Sequence, residues 1–299
     1  GPYGEELVVG TLIFYVGFHS FFYFLISKKF KSKVNEFLYF VVFFNSYFFS
    51  IYLTGERMNL LMSFMVIFLM FMILKDYRKK ILVSFILLCT LIYSTFLLDS
   101  HVSKKYKSFE ELSKLKDILK LHYVFKKTEN IKNETSLNDL DERKNTEEKL
   151  SFFEIHLSHM IIAIDIWKDN KFFGTGLNSF RKICGEYNNY KNFLKQKSCT
   201  THPHNYFLEI VAETGLIGLS FILIIIFLVI KKNLKNIFKC LKRPEYNLIL
   251  ISFLIITFSL LWPFKTTGRI FSNFYGTIFW FNFFTCCVLL SNIKSKIND

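Results

Sequence analysis

Several side chains capable of acid–base chemistry stand close together, near the start of a long apolar segment. His202, His204 and Asn205 are followed by Glu209 and Glu213, whose spacing of four residues places both carboxylates on one face of a helix. An imidazole titrates near ambient pH and suits a general base. Ionisable residues inside a membrane helix are costly and are usually functional. The alternative is structural, with interfacial histidines and a Glu213 that pairs with a basic group.

An arginine offers a second kind of chemistry. Arg57 follows Gly55 and Glu56 and begins another apolar segment. A guanidinium binds phosphate or diphosphate through two parallel hydrogen bonds at any pH, so Arg57 is a candidate anion contact. Taken alone, an arginine that extends towards a membrane interface is the commoner explanation.

Metal, nucleotide and serine-nucleophile chemistry are not indicated. The spacing of His202 and His204 is too tight for both rings to bind one zinc ion from a regular helix, and neither His156 nor His159 supplies an evident third ligand. No nucleophile-elbow motif and no phosphate-binding Walker loop occurs. We therefore expect neither a metal nor a cofactor.

The elements that must position these residues are long apolar segments. The sequence is 52% hydrophobic and 19% aromatic, and seven of its segments approach the length needed to span a bilayer. They are approximately 6–26, 36–54, 58–74, 81–98, 205–230, 246–264 and 271–290. A backbone in lipid must satisfy its own hydrogen bonds, and the short alternating strands of a barrel are missing from the sequence. We predict an all-α polytopic membrane protein.

The distribution of positive charge predicts the orientation. The net charge is +14, and the basic residues cluster at four sites that alternate with the spans and so fall on one side. These clusters are Lys28, Lys29, Lys31 and Lys33; Lys75, Arg78, Lys79 and Lys80; Lys231, Lys232, Lys235, Lys239, Lys242 and Arg243; and Lys294 and Lys296. The basic side is cytoplasmic, and the charge indicates contact with the bilayer rather than with nucleic acid.

This orientation divides the chain into three parts. Residues 1–98 carry four spans, residues 99–203 form one large outer loop, and residues 204–299 carry three spans. Within the loop, 99–150 is polar and reads as a spacer, whereas 151–203 reads as an ordered helical part. Residue 1 falls outside the cytoplasm and no signal peptide is recognisable, so we expect N-terminal helices to be missing from this sequence.

The outer loop contains two cysteines and a pair of glycines. Cys184 and Cys199 share a compartment that permits oxidation, and we predict a disulfide between them; the alternative is two free thiols, since their separation in space is not known. Gly174 and Gly176 allow a tight turn that would expose backbone N–H groups. They do not follow a strand, so a dinucleotide-binding loop is excluded.

The histidine stretch resembles a family signature. His204 and Asn205, followed after nine residues by the run Gly215-Leu216-Ile217-Gly218, are similar to the signature of the O-antigen ligase and O-antigen polymerase superfamily. Weaker similarities extend over most of the chain. They are Tyr3-Gly4-Glu5-Glu6-Leu7, which normally follows several earlier helices, Gly55-Glu56-Arg57, the Gly-x-Gly-x-x-x-Phe pattern at 174–180, Trp262-Pro263 through Gly268, and Phe279-Trp280.

The resemblance implies a glycosyltransferase of the bacterial inner membrane with its active site facing the periplasm. Its donor would be a glycan linked to undecaprenyl diphosphate, and its acceptor lipid A–core, another carrier-linked glycan or a protein hydroxyl. Neither metal nor nucleotide would be needed. His204 would be the general base and Arg57 would bind the diphosphate.

The resemblance also suggests further substrate contacts. A second arginine that the family usually carries corresponds here to His156, so His156 or Arg181 would supply the second anion contact. His202, Asn205 and Glu213 complete the predicted substrate-binding set.

Two other classes of protein remain as alternatives. A transporter or flippase for an anionic or lipid-linked substrate would use the same residues for binding. Transporters commonly show repeated halves and helices broken near the midplane. The sequence has no internal repeat, and its polar residues gather at the outer surface, which favours an enzyme. A structural or sensory protein would leave the histidine stretch unexplained.

Overall fold

The computed structural model describes residues 9–27, 32–98, 152–185, 202–242, 247–265 and 268–293, with the side chains of 152–158 excluded. Every regular element in these ranges is helical. The helices are α1 (Val9–Ser27), α2 (Lys33–Thr54), α3 (Arg57–Ile73), α4 (Arg78–Leu98), α5 (Phe152–Asp169), α6 (Phe180–Ile183), α7 (Tyr206–Lys242), α8 (Leu248–Leu260) and α9 (Asn273–Asn292). The predicted all-α fold is confirmed.

Each of the seven predicted spans corresponds to one helix. Five helical segments are long and apolar enough to cross a membrane: α1, α2, α4 with the 3₁₀ turn Lys75–Tyr77 before it, α7 and α9. The other two, α3 and α8, are apolar but contain only 17 and 13 residues. The chain is therefore a multi-pass membrane protein. The predicted spacer at 99–150 lies outside the described residues.

Polar contacts tie the helix ends together at both ends of the bundle. At one end, the backbone N–H of Gly10 near the start of α1 donates to Glu56 in the turn between α2 and α3, at 2.7 Å. At the other end, Lys80 at the start of α4 forms an ion pair with Glu36 in the first turn of α2. These contacts fit the predicted up-and-down order, with Lys80 on the basic side.

The core of the bundle is built largely from phenylalanine. Fully buried rings recur at every fourth position of α1 and α2. These rings are Phe14, Phe18 and Phe22 on α1, and Phe40, Phe44 and Phe48 on α2. The two helices meet through Phe21, whose ring centre lies 5.4 Å from that of Phe40 and 6.3 Å from that of Phe44. Neighbouring rings within each helix are as close as 4.9 Å and 4.6 Å between centroids. Offset aromatic contacts of this kind stabilise packing beyond the area they bury.

A polar contact inside the bundle joins three helices. The imidazole of His19 on α1 lies 3.0 Å from the Ser252 hydroxyl on α8 and 2.6 Å from Asn282 Oδ1 on α9. The same ring stacks on Phe253 at 3.9 Å. Hydrogen bonds between helices hold membrane bundles together because lipid offers no competing partners. Nothing in the sequence pattern predicts that these positions would meet.

Helix α1 contains a π-helical segment at Ile13–Gly17. The Tyr47 hydroxyl on α2 donates to the carbonyl of Phe14 within this segment, and a Cβ on Gly17 would lie 2.9 Å from the Tyr47 ring. A π-helical turn accommodates one extra residue and redirects the side chains on either side of it. It brings Phe14 and Tyr15, which are adjacent in sequence, into the interior together.

Helix α7 is divided at Gly215, whose φ of 66° and ψ of −167° are not helical. Its 37 residues would be about 55 Å long as one rod, far more than a bilayer core of about 30 Å. Glu209 and Glu213 belong to the short first part.

The break at Gly215 is where two stretches of backbone cross. Leu216 N donates to Lys171 O at 2.8 Å, and Gly176 N donates to Glu213 O at 2.8 Å. A Cβ on Gly215 would lie 2.2 Å from the carbonyl oxygen of Phe172, and a Cβ on Gly174 would lie 2.4 Å from the backbone of Glu213. Both glycines also have φ near +65°. Only glycine permits this approach.

Alanine at either crossing glycine should therefore destabilise the protein. In Gly174→Ala and in Gly215→Ala the added Cβ would clash with backbone atoms, which cannot rotate away as a side chain can. The alanine would also have to adopt a left-handed φ. We expect each to lower the unfolding free energy by about 2 kcal/mol or more. Gly185→Ala is the control, because its Cβ would meet only Lys182 O at an ordinary 3.8 Å. Thermal unfolding of the purified chain in detergent measures this, and equal melting temperatures for all three variants would contradict the crossing.

Candidate active site

Three imidazoles lie together at the end of the bundle where α7 begins. The ring of His204 stacks on that of His159 from α5 at 5.2 Å between centroids, and it lies 4.2 Å from the ring of His202. His159 and His202 are buried, whereas His204 is partly exposed. The arrangement therefore holds one accessible imidazole against two buried ones.

His204 has a left-handed backbone, with φ of 56°. This conformation is uncommon for a residue other than glycine and persists only where its surroundings enforce it. Its neighbour Asn205 supplies that constraint. Asn205 Oδ1 accepts from the N–H groups of Phe207 and Leu208 at 3.0 and 3.1 Å, and so caps the start of α7.

The other end of the Asn205 amide ties this loop to the turn between α8 and α9. Its Nδ2 donates to Pro263 O at 2.7 Å and to Lys265 O at 3.4 Å. Asn205, predicted as a substrate contact, thus uses both ends of its amide within the protein. These bonds tie down the backbone directly after His204.

Glu213 organises the segment 174–180, which contains Gly174 and Gly176 and is called the glycine-containing loop below. Its buried carboxylate accepts from Asn178 N at 2.7 Å and from Phe180 N at 3.2 Å. Asn178 has a φ of 58°, so the two bonds hold the chain through a second left-handed turn. The basic group that acts on Glu213 is Arg269, although the described residues show no direct ion pair between the two side chains.

The ion pair belongs instead to Glu209. Its carboxylate accepts from Arg269 Nε at 3.2 Å and from Ile270 N at 2.8 Å. Arg269 also donates through Nη2 to Asn178 Oδ1 at 2.8 Å. Arg269 therefore joins the glycine-containing loop, the start of α7 and the approach to α9. In the sequence Arg269 is only a lone cation in the short segment between two apolar stretches, with nothing to mark its partners.

Arg57 is the first residue of α3 and is partly exposed. Glu56, directly before it, is buried and accepts from Gly10 N at 2.7 Å, from the Thr11 hydroxyl at 3.1 Å and from Asn59 Nδ2. Burial raises the pKa of Glu56, and these hydrogen bonds oppose the rise. The beginning of α3, and with it the Arg57 backbone, is anchored to α1 in this way.

The remaining predicted residues are placed as follows. Arg181 is exposed on the short helix α6. His156 lies in α5, but its side chain is outside the described part of the chain. Cys184 is buried and disulfide-bonded, while Cys199, its predicted partner, lies outside the described residues.

The glycine-containing loop does not offer the free N–H groups that the sequence suggested. Gly174 N donates to Asn170 O at 2.9 Å, and Gly176 N donates to Glu213 O at 2.8 Å. The glycines serve the close crossing with α7 instead. Within the described ranges, moreover, no three His, Cys, Asp or Glu side chains are grouped so that they could hold a metal ion.

The fold and the site define a multi-pass helical membrane protein with a histidine cluster at one end of its bundle. A family model described as O-antigen ligase matches residues 38–223, which is more than half of the chain. The chain belongs to this family, whose members catalyse a glycosyltransferase-type reaction at the membrane. No match was found among curated proteins or among solved structures.

The matched region includes Arg57, the glycine-containing loop and the histidine cluster. It ends before the turn between α8 and α9, which carries Lys265 and Arg269. The contacts of that turn with the site are therefore visible only in the structure.

Loss of the Arg269 guanidinium should leave a buried carboxylate without its counter-charge. Glu209 is 1% exposed in its side chain and Arg269 is 14% exposed. We expect Arg269→Gln to lower the unfolding free energy by about 3 kcal/mol, and Glu209→Gln added to it to recover much of the loss. Lys168→Gln, in a pair whose lysine is 55% exposed, is the control and should cost under about 1 kcal/mol. A double variant no more stable than Arg269→Gln would contradict the pairing.

Proposed function

We propose that this protein transfers a glycan from undecaprenyl diphosphate to an acceptor hydroxyl on the periplasmic face of the membrane. Its membership of the O-antigen ligase family supports a glycosyltransferase reaction. The observation that carries the proposal within the chain is the partly exposed imidazole of His204, held between two other rings at the outer end of the bundle. The transporter alternative needs no such base.

In the proposed reaction His204 acts on the acceptor. Its imidazole takes the proton of the acceptor hydroxyl as the oxygen attacks the anomeric carbon of the donor sugar. The bond between that carbon and the diphosphate oxygen breaks, and its electron pair leaves with undecaprenyl diphosphate. The stacked rings and the left-handed backbone restrict the orientations open to the His204 ring, which reduces the entropy lost on reaching the transition state.

Arg57 is proposed to bind the diphosphate and to stabilise its developing charge. A guanidinium at the start of α3 can donate two hydrogen bonds to phosphoryl oxygens. The contacts of Glu56 with α1 support this role, because they fix the backbone from which the arginine extends. Once the charge is held, diphosphate leaves readily, so the proposed reaction uses neither a metal nor a nucleotide.

The other predicted residues take supporting roles in this scheme. His156 or Arg181 would provide a second contact to the diphosphate, and His202 would line the acceptor side of His204. Asn205 and Glu213 would act by positioning, since their hydrogen bonds are made to the protein backbone. A Cys184–Cys199 disulfide would tie down the segment ahead of the histidines.

Replacement of the two principal residues tests the mechanism. We expect His204→Ala to reduce turnover at least about a hundredfold, the usual contribution of a general base. Arg57→Ala should mainly weaken donor binding, and Arg78→Ala, at the basic end of the bundle, is the matched arginine control. Transfer from a purified carrier-linked glycan is the assay, run with and without a chelator. Full transfer by the double His204→Ala/Arg57→Ala variant would contradict the proposed mechanism. So would loss of wild-type transfer when a chelator is added.

The acceptor is identified by the glycans of a deletion strain. Loss of all polymer from lipid A–core would indicate a ligase, and a single repeat left attached would indicate a polymerase. Normal lipopolysaccharide together with under-glycosylated protein would indicate a protein acceptor. If the carrier-linked glycan instead stays on the cytoplasmic face, the transporter alternative replaces the enzyme.

A further inference from the structure

Lys265, in the turn between α8 and α9, is a buried cation. It is only 2% exposed, and its Nζ donates to the Tyr15 hydroxyl at 2.5 Å and to the Tyr206 hydroxyl at 3.5 Å. The same nitrogen lies 4.9 Å from the centre of each tyrosine ring. Within the described part of the chain Lys265 forms no ion pair, unlike Arg269, which pairs with Glu209.

Burying the Lys265 ammonium costs folding free energy that burying an apolar side chain would not. Burial lowers the pKa of Lys265 to about 7, and the negative charge of Glu56 opposes a further fall. The two ring faces and two hydroxyls offset only part of the lost hydration. A methionine of similar length at this position would give a fold that is at least as stable. Stability therefore does not explain why the residue is a lysine.

The contacts of Lys265 reach both halves of the proposed site. On one side, Tyr206 directly follows His204 and Asn205, and Asn205 donates to the Lys265 carbonyl. A Cβ on Gly268 would lie 2.5 Å from the Tyr206 hydroxyl, so both Gly268 and Lys265 pack closely against this side chain.

On the other side, Lys265 contacts the helix that anchors the arginine. Tyr15 belongs to the π-helical segment of α1, the helix whose Gly10 and Thr11 bind Glu56, and Glu56 immediately precedes Arg57. Lys265 thus stands between the loop that carries His204 and the helix end that carries Arg57.

We propose that Lys265 is a positioning residue: its ammonium, shared between the Tyr15 and Tyr206 hydroxyls, holds the His204 loop in register with the Arg57 helix end. The roles of His204 and Arg57 in this inference rest on the proposed function. The neutral amine keeps a hydrogen bond to a hydroxyl but loses its attraction to the two ring faces. Positioning therefore weakens when Lys265 loses its proton.

The titration of Lys265 is isolated by comparing variants that differ only at residue 265, since the imidazoles of the histidine cluster titrate in the same pH range in each of them. Tyr15 on α1, Tyr206 on α7 and Glu56 in the turn between α2 and α3 act on it directly. Farther out, Tyr47 and Tyr275 act on Tyr15, while Tyr275 and Glu209 act on Tyr206. Phenols ordinarily titrate near pH 10, above the range in which Lys265 changes charge.

The experiment compares Lys265→Met and Lys265→Arg in the full-length chain, with Lys235→Met at the exposed cytoplasmic end of α7 as the control. Turnover, donor KM and thermal unfolding are measured from about pH 6 to about pH 9. We expect Lys265→Met to lower kcat at least about tenfold while its melting temperature stays unchanged or rises. A purely structural role predicts the opposite, with activity lost only in proportion to folded protein.

The pH profile gives the second readout. As pH rises through about 7, wild-type kcat should decline as the ammonium is lost, in the direction set by its lowered pKa. Lys265→Arg keeps its charge at every pH, so its decline should move to higher pH. Should neither lysine variant fold, Tyr15→Phe removes only the hydroxyl and should lower kcat in the same direction. Wild-type kcat in Lys265→Met, an unmoved decline in Lys265→Arg, or wild-type kcat in Tyr15→Phe each overturns the inference.

Failure of this inference is distinguishable from failure of the proposed function. If His204→Ala is inactive and Lys265→Met is fully active, only the role of Lys265 is lost. If His204→Ala and Arg57→Ala both transfer glycan normally, the proposed function fails, and the lysine has no catalytic pair to align.

Discussion

The close crossing of two backbones, 171–176 over 212–217, is the contact on which the histidine-bearing end of this protein depends. Four backbone hydrogen bonds join the two stretches, and the approach requires that Gly174 and Gly215 have no side chain. The crossing ends the first part of α7 and sets its angle to the apolar helix that follows. It also brings α5 to the entrance of α7, so that His159 meets His204. A histidine cluster formed from two distant segments is the result.

Buried carboxylates complete the scaffold around this crossing. Glu213 holds the loop beyond Gly176, Glu209 holds the approach to α9 through Arg269, and Glu56 holds the start of α3 against α1. Each accepts at least one backbone N–H group. In a setting with little water these acceptors satisfy donors that would otherwise remain unpaired. These three carboxylates therefore have a structural role, and the proposed chemistry is carried by the His204 imidazole and the Arg57 guanidinium.

The sequence predicted the membrane class and the positions of the spans, because long apolar segments in lipid have helices as their main solution. It also pointed to His204, since a histidine before an apolar helix at family spacing is a local signal. It did not predict which partner each carboxylate would take. The pairing of Glu209 with Arg269 spans sixty residues and depends on how α9 approaches α7. Nor did it show that His159 would lie against the His204 ring, because that contact depends on the rotation of α5 about its axis.

The π-helical segment of α1 makes the length of that helix unusually tolerant at one point. Because this turn holds one residue more than an α-helical turn, deleting the exposed Val16 would let it relax into an ordinary α-helix. The turns on either side would keep their orientation, so Gly10 would still meet Glu56 while Phe18 and Phe22 kept their places in the aromatic core. The same deletion between Phe18 and Ser27 would instead rotate one part of α1 by about 100° relative to the other. The extra residue therefore separates the length of α1 from the anchoring of the arginine helix.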